Sequence, residues 1–466
     1  MLGNVGIILG HMLRYKSLVA GVIIITAFIL ISVYAVVIIP YDEAIRAWNT
    51  LDHWEDLPKL AYPAWINNFL VKKLPETIVL NSKSDGIKVK QQIPFGGGLY
   101  IKIEMPFSYG YDEFPSEITL RFYARNITQA TLVTLVWVKP DGTELEIMHE
   151  SLSSEYKYYS ISADRTFQTN YLKYITEKLG ESPAYEIDPE IALFAKEDKT
   201  ILSPNTREVL KGRYRVLLTV VSPNNTTDVD VKLNIYGRIY GLVGTDHKRR
   251  DLWLAIIWGA PIALAFGITA SVVTVFLEMI IAAVSAWYGK LTDYIIQRAN
   301  EIMLVLPFLP ILVMISYFYR FSIWSLLMVV IALSIFGSGV KVYRAMFLQI
   351  KEMPYVEAAK AYGASNLRII FYYMIPKVLP TTIPSIVLSV PSYVFLEAAL
   401  ALLGVGDPSA ITWGKVLDEA FSGGAVYRGY YHWILGPASC LVLLSLGFTL
   451  IGFTLDRIFN PRLREA

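Results

Sequence analysis

The 466-residue sequence is poor in the residues that build catalytic and metal centres. It contains one cysteine, Cys440, so an internal disulfide and a metal site of the CxxC type are excluded. Its five histidines are scattered without the spacing of metal ligands. The phosphate-binding GxxxxGK[ST] pattern, GxSxG, HExxH and GxGxxG are all missing. We therefore expect a chain that is not an enzyme, holds no metal and binds no cofactor of its own.

Net charge is also low. The formal charge is +2 at pH 7, which gives no general electrostatic attraction to nucleic acid. Hydrophobic residues make up 54% of the chain and the mean hydropathy is +0.43, which is too apolar for a soluble protein of this length. The composition predicts an integral membrane protein whose surroundings are lipid.

Six apolar segments approach or exceed the length needed to cross a hydrocarbon core of about 30 Å. The first carries no charge, follows Arg14 and Lys16, and precedes Asp42 and Glu43, so the positive-inside rule places the N-terminus in the cytoplasm. Six crossings return the C-terminus to the same side. We expect an α-helical integral protein of the cell membrane with six transmembrane helices and two cytoplasmic termini. The segments are Ser17–Ile39, Pro261–Trp287, Ile302–Tyr319, Ile323–Val340, Ile375–Leu403 and Ile434–Leu455.

A polar stretch, 41–243, separates the first two segments and is long enough for a domain of its own. Apolar and polar residues alternate over 118–125 and again over 229–235, which is the pattern of half-buried β-strands. We expect an extracytoplasmic β-rich, sandwich-like domain with short helices at 171–179 and 204–210. Its role is open between a docking surface for a soluble receptor and a spacer near the cell surface.

The first part of this domain is rich in tryptophan and proline. It contains Trp48, Trp54, Trp65 and Phe69. Amphipathic aromatic rings are favoured at the membrane–water interface. Contact with the membrane surface and ordinary packing inside the domain are both open for these side chains.

A second polar stretch, 355–376, lies between the fourth and fifth apolar segments. Its first half is rich in strong helix formers, and Gly363 suits the left-handed position that ends a helix. Glu357-Ala358-Ala359, followed by Gly363 and then by Ile375-Pro376, resembles the EAA motif of ABC importer permeases. The alternative is an ordinary cytoplasmic loop, since the same tripeptide recurs at 397–399. The full spacing in a polar loop favours the motif.

Three further stretches add to the resemblance. Residues 244–251 are similar to the Gly-Thr-Asp-x-x-Gly-Arg-Asp stretch before the membrane core of C-type dipeptide and oligopeptide permeases, with Arg249 in place of the glycine. Thr412-Trp413-Gly414 resembles the Ser/Thr-Trp-Gly segment before the last span, and the tail at 460–464 also matches. The chain is thus identified as a member of this C-type permease family by resemblance. Family members usually have a much shorter loop in place of 41–243.

The resemblance implies an assembly and a set of functional residues. One copy would pair with a B-type permease to enclose the path, while two ATPase subunits, which hold ATP and magnesium, bind the cytoplasmic face. An extracytoplasmic substrate-binding protein would deliver di- or oligopeptides, or oligosaccharides as the alternative. The residues implied in coupling to the ATPase are Tyr355, Glu357, Ala358, Ala359, Ala361 and Gly363, in a loop of about 341–376. The residues implied in a structural motif are Gly244, Thr245, Asp246, Arg250 and Asp251. The three charged ones are expected to form an ion-pair network that fixes the domain to the membrane core, and an ordinary polar flank at a membrane boundary is the alternative.

Two carboxyl groups fall inside apolar segments. Glu278 and Glu397 each cost about 2.5–3.5 kcal/mol at mid-depth in lipid, so they are expected to face the helix bundle or a wet cavity. They are either residues of the substrate path or, as we favour, hydrogen-bonded between helices. Trp413 lies near the mouth of the path by resemblance, or at the membrane interface as an ordinary tryptophan.

Two other classes of protein stay open. A membrane-anchored receptor predicts one or two spans with a cytoplasmic signalling domain, and a secondary transporter gives no reason for the EAA spacing. We expect three regions in the chain. Residues 1–40 form the cytoplasmic N-terminus and first helix, 41–243 the inserted domain, and 244–466 a permease domain of five helices with the type I ABC importer fold.

Overall fold

The computed structural model describes residues 15–83, 89–128 and 130–459. These residues form two compact units. The membrane unit contains the chain up to Asn49 and from Leu254 onward, and the β unit is Thr50–Trp253. Arg14 and the tail at 460–464, which entered the sequence interpretation, lie outside the described residues.

Two helices precede the β unit. Helix α1 (Lys16–Ile38) is the first expected span, and α2 (Tyr41–Asn49) begins directly after Pro40, whose fixed φ suits a helix start. Helix α2 belongs to the membrane unit, because the Asn49 amide donates to the Ser409 carbonyl at 3.2 Å. The compact β unit therefore begins at Thr50, later than the boundary expected from the sequence at residue 41.

Two antiparallel sheets build the β unit. One has four strands in the order β1-β9-β4-β7, and the other has five in the order β2-β3-β8-β5-β6, when strands are numbered along the chain. Both sheets contribute to one hydrophobic core, in which Leu120 and Leu218 are fully buried. This is the β-rich, sandwich-like arrangement that the alternation of residues predicted. The strands are β1 (Ile78–Asn81), β2 (Val89–Phe95), β3 (Gly98–Tyr109), β4 (Glu117–Arg125), β5 (Leu132–Val138), β6 (Glu144–Ser151), β7 (Tyr156–Ser160), β8 (Gly212–Ser222) and β9 (Asp228–Tyr236), and the helices are α3 (Arg165–Leu179) and α4 (Pro189–Phe194).

The polar faces of β4 and β9 are covered rather than open to solvent. Arg121 and Asn234 are 4% and 0% exposed, because the segment after α2 lies over them. The Asn234 amide donates to Asp56 at 2.9 Å, and the Lys232 ammonium lies 2.5 Å from the same carboxylate. Trp54 of this segment is buried, so packing accounts for it. The half-buried strands of the sequence interpretation are therefore buried on both faces at these positions.

Of the two short helices expected in this domain, the one at 204–210 was predicted wrongly. Helix α3 contains the predicted 171–179. Residues 204–210 instead form a turn followed by extended chain, in which the Glu208 carbonyl accepts from the Lys196 N–H at 3.0 Å. Pairing with a distant segment overrides the local helix preference there.

Helices α5 to α14 follow the strands, and all of them except the first two residues of α5 belong to the membrane unit. They are α5 (Leu252–Tyr288), α6 (Lys290–Val305), α7 (Phe308–Phe318), α8 (Ile323–Ser334), α9 (Ser338–Lys351), α10 (Pro354–Ala361), α11 (Asn366–Leu402), α12 (Trp413–Ser422), α13 (Ala425–Arg428) and α14 (Tyr431–Phe459). Within the described residues, four helices, α1, α5, α11 and α14, are long and apolar enough to cross a membrane. The pairs α6–α7 and α8–α9 bend by 82° and 50° at short breaks, and counting each pair as one crossing gives up to six.

The third and fourth expected spans, 302–319 and 323–340, are thus bent pairs rather than straight helices. Helix α6 ends at Val305 because Leu306 precedes Pro307, which disfavours the helical conformation of the residue before it. The second break falls at Gly337, whose backbone is held from two sides by neighbouring helices. Hydropathy alone did not reveal either break, because both lie in apolar sequence.

Helix α1 packs against α14 at close range. A Cβ atom placed on Gly21 would lie 2.7 Å from the Gly447 carbonyl oxygen, so the two glycines allow the backbones to approach. Phe28 meets the Trp413 ring edge-on at 5.7 Å. The helix that precedes the β unit in sequence is therefore built into the same core as the helices that follow it.

Candidate functional site

Helix α10, which carries the predicted EAA motif, has one buried face and one exposed face. Val356 and Ala359 are 2% and 7% exposed and pack in a cluster with side chains of α5, α9 and α11. The structure therefore places Ala359 in the core of this chain, whereas the sequence interpretation gave it to a partner's surface. The exposed members of the predicted coupling set on this helix are Tyr355, Glu357, Ala358 and Ala361.

Gly363 ends this helix in the left-handed conformation expected from the sequence. Its φ is +80°, and the two bonds of a Schellman motif surround it. The Gly363 N–H donates to the Lys360 carbonyl at 3.0 Å, and the Ala364 N–H donates to the Ala359 carbonyl at 3.0 Å. In the described part of the chain, no atom beyond its immediate neighbours lies within 4 Å of a Cβ placed on Gly363, so its backbone conformation, not space, favours glycine.

Helix α9 joins α10 to the corner between α5 and α6. At its C-terminal end, the Lys351 ammonium donates to the carbonyls of Ala286 and Trp287 at 3.1 and 3.0 Å. At mid-length, Arg344 binds Asp293 of α6 through two pairs of atoms, at 2.6 and 2.5 Å. Bidentate pairs of this kind fix geometry as well as adding energy. Only two residues separate α9 from α10, so these contacts connect α10 through α9 to α5 and α6.

At its N-terminal end, α9 is held by Glu278 of α5 and Asn300 of α6. The Glu278 carboxyl accepts hydrogen bonds from the backbone N–H groups of Gly337 and Gly339. Asn300 is fully buried, and its amide nitrogen donates to the carbonyls of Phe336 and Gly337, each at 2.9 Å, in the orientation that satisfies both groups. We call these contacts the α8–α9 joint.

Glycine is required at this joint. A Cβ atom on Gly339 would lie 2.1 Å from a Glu278 carboxyl oxygen, and one on Gly337 would lie 2.5 Å from the other oxygen. Both distances are far below van der Waals contact, so the backbone and the carboxyl group meet only because no side chain intervenes. Glu278 of α5 thus contacts the backbone at the break between α8 and α9.

A cavity of about 560 Å³ opens beside the joint. Glu278 lines it, so this carboxyl group also borders open space inside the membrane unit. Hydroxyl groups dominate the rest of the polar lining, which suits a wet passage rather than a lipid-filled gap. They belong to Thr274, Ser334, Ser338, Tyr343, Thr381, Ser385, Ser389 and Tyr393.

Glu397 and Trp413 lie together at a second place in the membrane unit. Glu397 is 5% exposed and is hydrogen-bonded by the Thr412 side chain. The Trp413 indole is 1% exposed, donates to the Ile256 carbonyl at 3.2 Å, and fills the space above Gly259, where a Cβ would lie 2.2 Å from the ring. The structure therefore brings these two predicted path residues together as packing between α5, α11 and α12, whereas Glu278 lines the cavity.

The Gly-Thr-Asp stretch is a tightly bonded turn in the β unit. The Thr245 hydroxyl donates to the Pro58 carbonyl at 2.6 Å and accepts from the Ala61 N–H at 2.9 Å. Asp246 and Arg250 form a buried pair, with Arg250 nitrogens 2.6 and 2.5 Å from one Asp246 oxygen. These contacts tie the turn before α5 to the segment that follows α2 in sequence.

Asp251 completes the turn as the residue just before α5. Its carboxylate accepts from the Trp253 N–H at 2.9 Å, and burial raises the pKa of this carboxyl group above its usual range. The first residue of α5 is also hydrogen-bonded to this turn, because the Leu252 N–H donates to the Gly244 carbonyl at 3.1 Å. Gly244 adopts a φ of +88°.

Arg249 keeps the left-handed turn that glycine provides in the pattern it resembles. Its φ is +69°, a conformation that costs a residue with a side chain about 1 kcal/mol. The guanidinium offsets that cost through a donated bond to the Leu57 carbonyl at 2.7 Å and a pair with Glu117 at 2.8 Å. It also lies 4.0 Å from the centroid of the Tyr236 ring. The departure at this position therefore preserves the turn.

Sequence reasoning missed a groove beside α10. It is open, has a volume of about 980 Å³, and is lined by Leu367, Arg368, Phe371, Tyr372 and Tyr373 at the start of α11. Tyr372 and Leu367 are 77% and 60% exposed. The run of aromatic residues was visible in the sequence, but it was interpreted as the start of an apolar span. The α10 face and this groove together form the candidate coupling site.

Comparison with known proteins identifies the membrane unit. The sequence profile of the binding-protein-dependent transport system inner membrane component matches residues 275–465. A peptide permease protein of Brucella suis is 30% identical over 220 residues, which cover 47% of this chain and 72% of that protein. The chain belongs to the permease family of the dipeptide and oligopeptide ABC importers.

Further permeases of this family align over similar lengths. The oligopeptide transport permease OppC of Bacillus subtilis is 28% identical over 226 residues, covering 48% of this chain and 72% of OppC. The dipeptide permease DppC of the same organism is 27% identical over 225 residues, covering 48% and 69%. The family match makes the chain a multi-pass membrane transport subunit. The matched profile begins at Val275, so the whole β unit of this permease lies outside it.

Proposed function

We propose that this permease is one of two membrane subunits of an ATP-driven importer of di- or oligopeptides. The other membrane subunit is a B-type permease, and two ATPase subunits bind on the side where α10 lies. A soluble binding protein delivers the substrate on the extracytoplasmic side, to which we also assign the β unit. The peptide substrate is supported by relatives whose names are oligopeptide, dipeptide and peptide permeases. Oligosaccharide import is the alternative, and no named relative favours it.

The observation that carries the proposal is the exposed face of α10. A helix of eight residues is marginal on its own, but this one is held by two buried residues and by its capped C-terminus. Its outer face offers two small side chains, Ala358 and Ala361, and the Glu357 carboxylate. Such a face lets another protein approach closely and pair a basic group with Glu357.

Coupling follows from the way α9 is fastened. ATP brings the two ATPase subunits together and moves α10, and the Lys351 and Arg344 contacts pass that movement to α5 and α6. The movement reaches the cavity at the α8–α9 joint, where Glu278 and Asn300 hold the bend. Binding of nucleotide thus shifts the population between inward-open and outward-open states, because the two states bind the ATPase dimer differently.

Glu278 acts in this scheme mainly as the residue that positions α9, at the border of the path. Glu397 and Trp413 support the wall formed by α5, α11 and α12. This assignment separates the three residues that the sequence interpretation grouped together. It predicts that variants of Glu278 differ from variants of Glu397 and Trp413 in the kind of transport defect and not only in its size.

The test is co-purification of the assembled importer. The chain is co-expressed with its candidate permease and ATPase partners and purified through a tag on this chain alone. Ala358→Glu places a charge on the outer face of α10, so we expect this variant to reach the membrane but to lose the ATPase subunits. The matched control is Ala184→Glu, which makes the same change at an exposed alanine of the β unit.

The expected result is loss of ATPase subunits with the first variant only. Retention of ATPase subunits together with normal peptide uptake by Ala358→Glu contradicts the proposal. If both variants lose them, the charge acts on folding, and thermal unfolding of each purified chain distinguishes that outcome.

A further inference from the structure

An apolar loop tip projects from the surface of the β unit. Phe69, Leu70 and Val71 are 80%, 38% and 97% exposed, and the neighbouring Trp65 and Leu242 are 50% and 59% exposed. We call these five residues the apolar patch. Contiguous exposed apolar surface is rare on soluble proteins and marks contact with a partner or a membrane.

Hydrogen bonds within the loop that carries the tip fix its conformation. The Asn67 side chain closes it, since its amide donates to the Leu74 carbonyl at 3.0 Å and its oxygen accepts from the Leu74 N–H at 3.0 Å. The Lys73 ammonium adds a bond to the Asn67 carbonyl at 2.6 Å. The three apolar residues are therefore presented to the outside by a fixed frame.

The apolar patch lies next to the start of a helix that can cross the membrane. The Trp65 indole donates to the Leu242 carbonyl at 2.9 Å. Leu242 is two residues from Gly244, at most about 7 Å of chain. The Gly244 carbonyl in turn accepts from Leu252, the first residue of α5. These contacts all lie within the β unit and place the patch close to the chain's point of return to the membrane.

The composition of the tip matches a bilayer surface. Tryptophan and phenylalanine are favoured at the level of the lipid headgroups, and an apolar face next to lysines is typical of segments that lie in the interface. Lys72 and Lys73 follow the tip directly, where they can meet lipid phosphates. Protein–protein interfaces are depleted of lysine, so the two lysines directly beside the tip favour a lipid surface over a soluble partner.

We propose that the apolar patch inserts into the headgroup–acyl boundary of the bilayer that α5 crosses, with Lys72 and Lys73 at the phosphate level. The β unit is then held to the membrane surface by the apolar patch as well as by its two chain connections. The proposal rests on the membrane placement of the family and not on the substrate or on the coupling scheme. It assigns Trp65 and Phe69 to the membrane, whereas Trp48 and Trp54 are packing residues.

The test locates single fluorescent labels in the full-length chain. Cys440→Ala removes the natural thiol, and Phe69→Cys or Val71→Cys then gives one site for a bimane label. Tyr185→Cys, at a residue 66% exposed on the same unit, is the control. Each protein is reconstituted in vesicles of phosphatidylcholine and phosphatidylglycerol, with or without lipids that carry a nitroxide near the top of the acyl chain.

We expect the nitroxide lipids to quench most of the fluorescence at positions 69 and 71 and little at 185. Aqueous iodide should quench only the label at 185. Equal quenching by iodide at all three positions, without quenching by the lipids, overturns the proposal. Labels at 69 and 71 that are open to iodide until a binding protein or second permease is added also overturn it, because the patch then belongs to a protein interface. Thermal unfolding of each labelled chain confirms that it is folded.

Discussion

A methyl group at Gly339 tests the α8–α9 joint directly. In Gly339→Ala the new Cβ starts 2.1 Å from a Glu278 carboxyl oxygen, and ordinary contact begins at 3.4 Å, so the two groups must separate by 3.4 − 2.1 = 1.3 Å. A movement of that size breaks the hydrogen bonds from Gly337 and Gly339 to the carboxyl group. Bonds to a charged acceptor contribute about 1.5–3 kcal/mol each, and the better helix propensity of alanine returns at most about 1 kcal/mol. Two such bonds, less that gain, give an expected net loss of about 2–6 kcal/mol in the stability of the joint.

The partner variant is Glu278→Asp, which shortens the side chain by one methylene. Alone it draws the carboxyl group away from the two N–H groups and is also destabilising. Combined with Gly339→Ala it leaves room for the methyl group. The double variant is therefore expected to be more stable than the sum of the two single losses predicts, which is the signature of direct contact in a double-mutant cycle.

Two assays follow the four proteins. Thermal inactivation of the purified importer reports stability, and the ratio of substrate-stimulated to basal ATP hydrolysis reports coupling. Both single variants should lower the ratio without raising KM for substrate, because Glu278 acts through α9. Additive losses, or a change in KM confined to Glu278→Asp, contradict the reasoning and assign Glu278 to direct substrate contact.

Three further predictions concern other parts of the chain. Gly363→Glu forces a side chain into a left-handed position, at a cost of about 1–2 kcal/mol, so we expect this variant to remain in the membrane but to take up less substrate. Gly363→Asn should retain most of the uptake, because asparagine tolerates that conformation. Equal uptake by the two variants contradicts the role of the turn. Asp246→Asn leaves Arg250 buried beside a neutral group and should lower the unfolding free energy of the β unit by about 3–5 kcal/mol, measured by denaturant unfolding against the exposed control Asp52→Asn. Burial raises the pKa of Glu190 to about 7 from 4.5, so the folded state binds the proton more tightly than the unfolded state. The β unit should therefore lose about 1–3 kcal/mol of stability as pH rises from 4.5 to about 7. Melting temperatures measured over this pH range check the loss, and Glu190→Gln should reduce their dependence on pH.

The elements that sequence reasoning predicted well are those with a local cause. Helix α1 follows from an uncharged run, and β4 and β9 follow from residues that alternate with period two. The end of α10 at Gly363 follows from the conformational freedom of glycine. In each case the neighbouring residues are sufficient to determine the structure.

The features that sequence reasoning missed depend on contacts between distant residues. The bend at Gly337 needs Glu278 and Asn300, which lie on two other helices. The burial of Arg121 depends on acidic residues far from it in sequence. Ala359 and Ala358 are adjacent and identical in type, so only the packing of α10 shows which one faces inward.

The bonds between Thr245 and Pro58, and between Tyr62 and the chain near Ile239, bring together the two ends of the β unit. A unit whose ends meet can be inserted into a loop without pulling apart the elements on either side, since the host chain experiences only a short closed connection. This geometry explains how a permease can carry so large an addition between its first two spans. It also makes the β unit a transferable module. Joining the chain at Tyr62 directly to Ile239 through a short glycine linker should give a minimal permease, and the removed module could be grafted into the corresponding loop of a relative that lacks it.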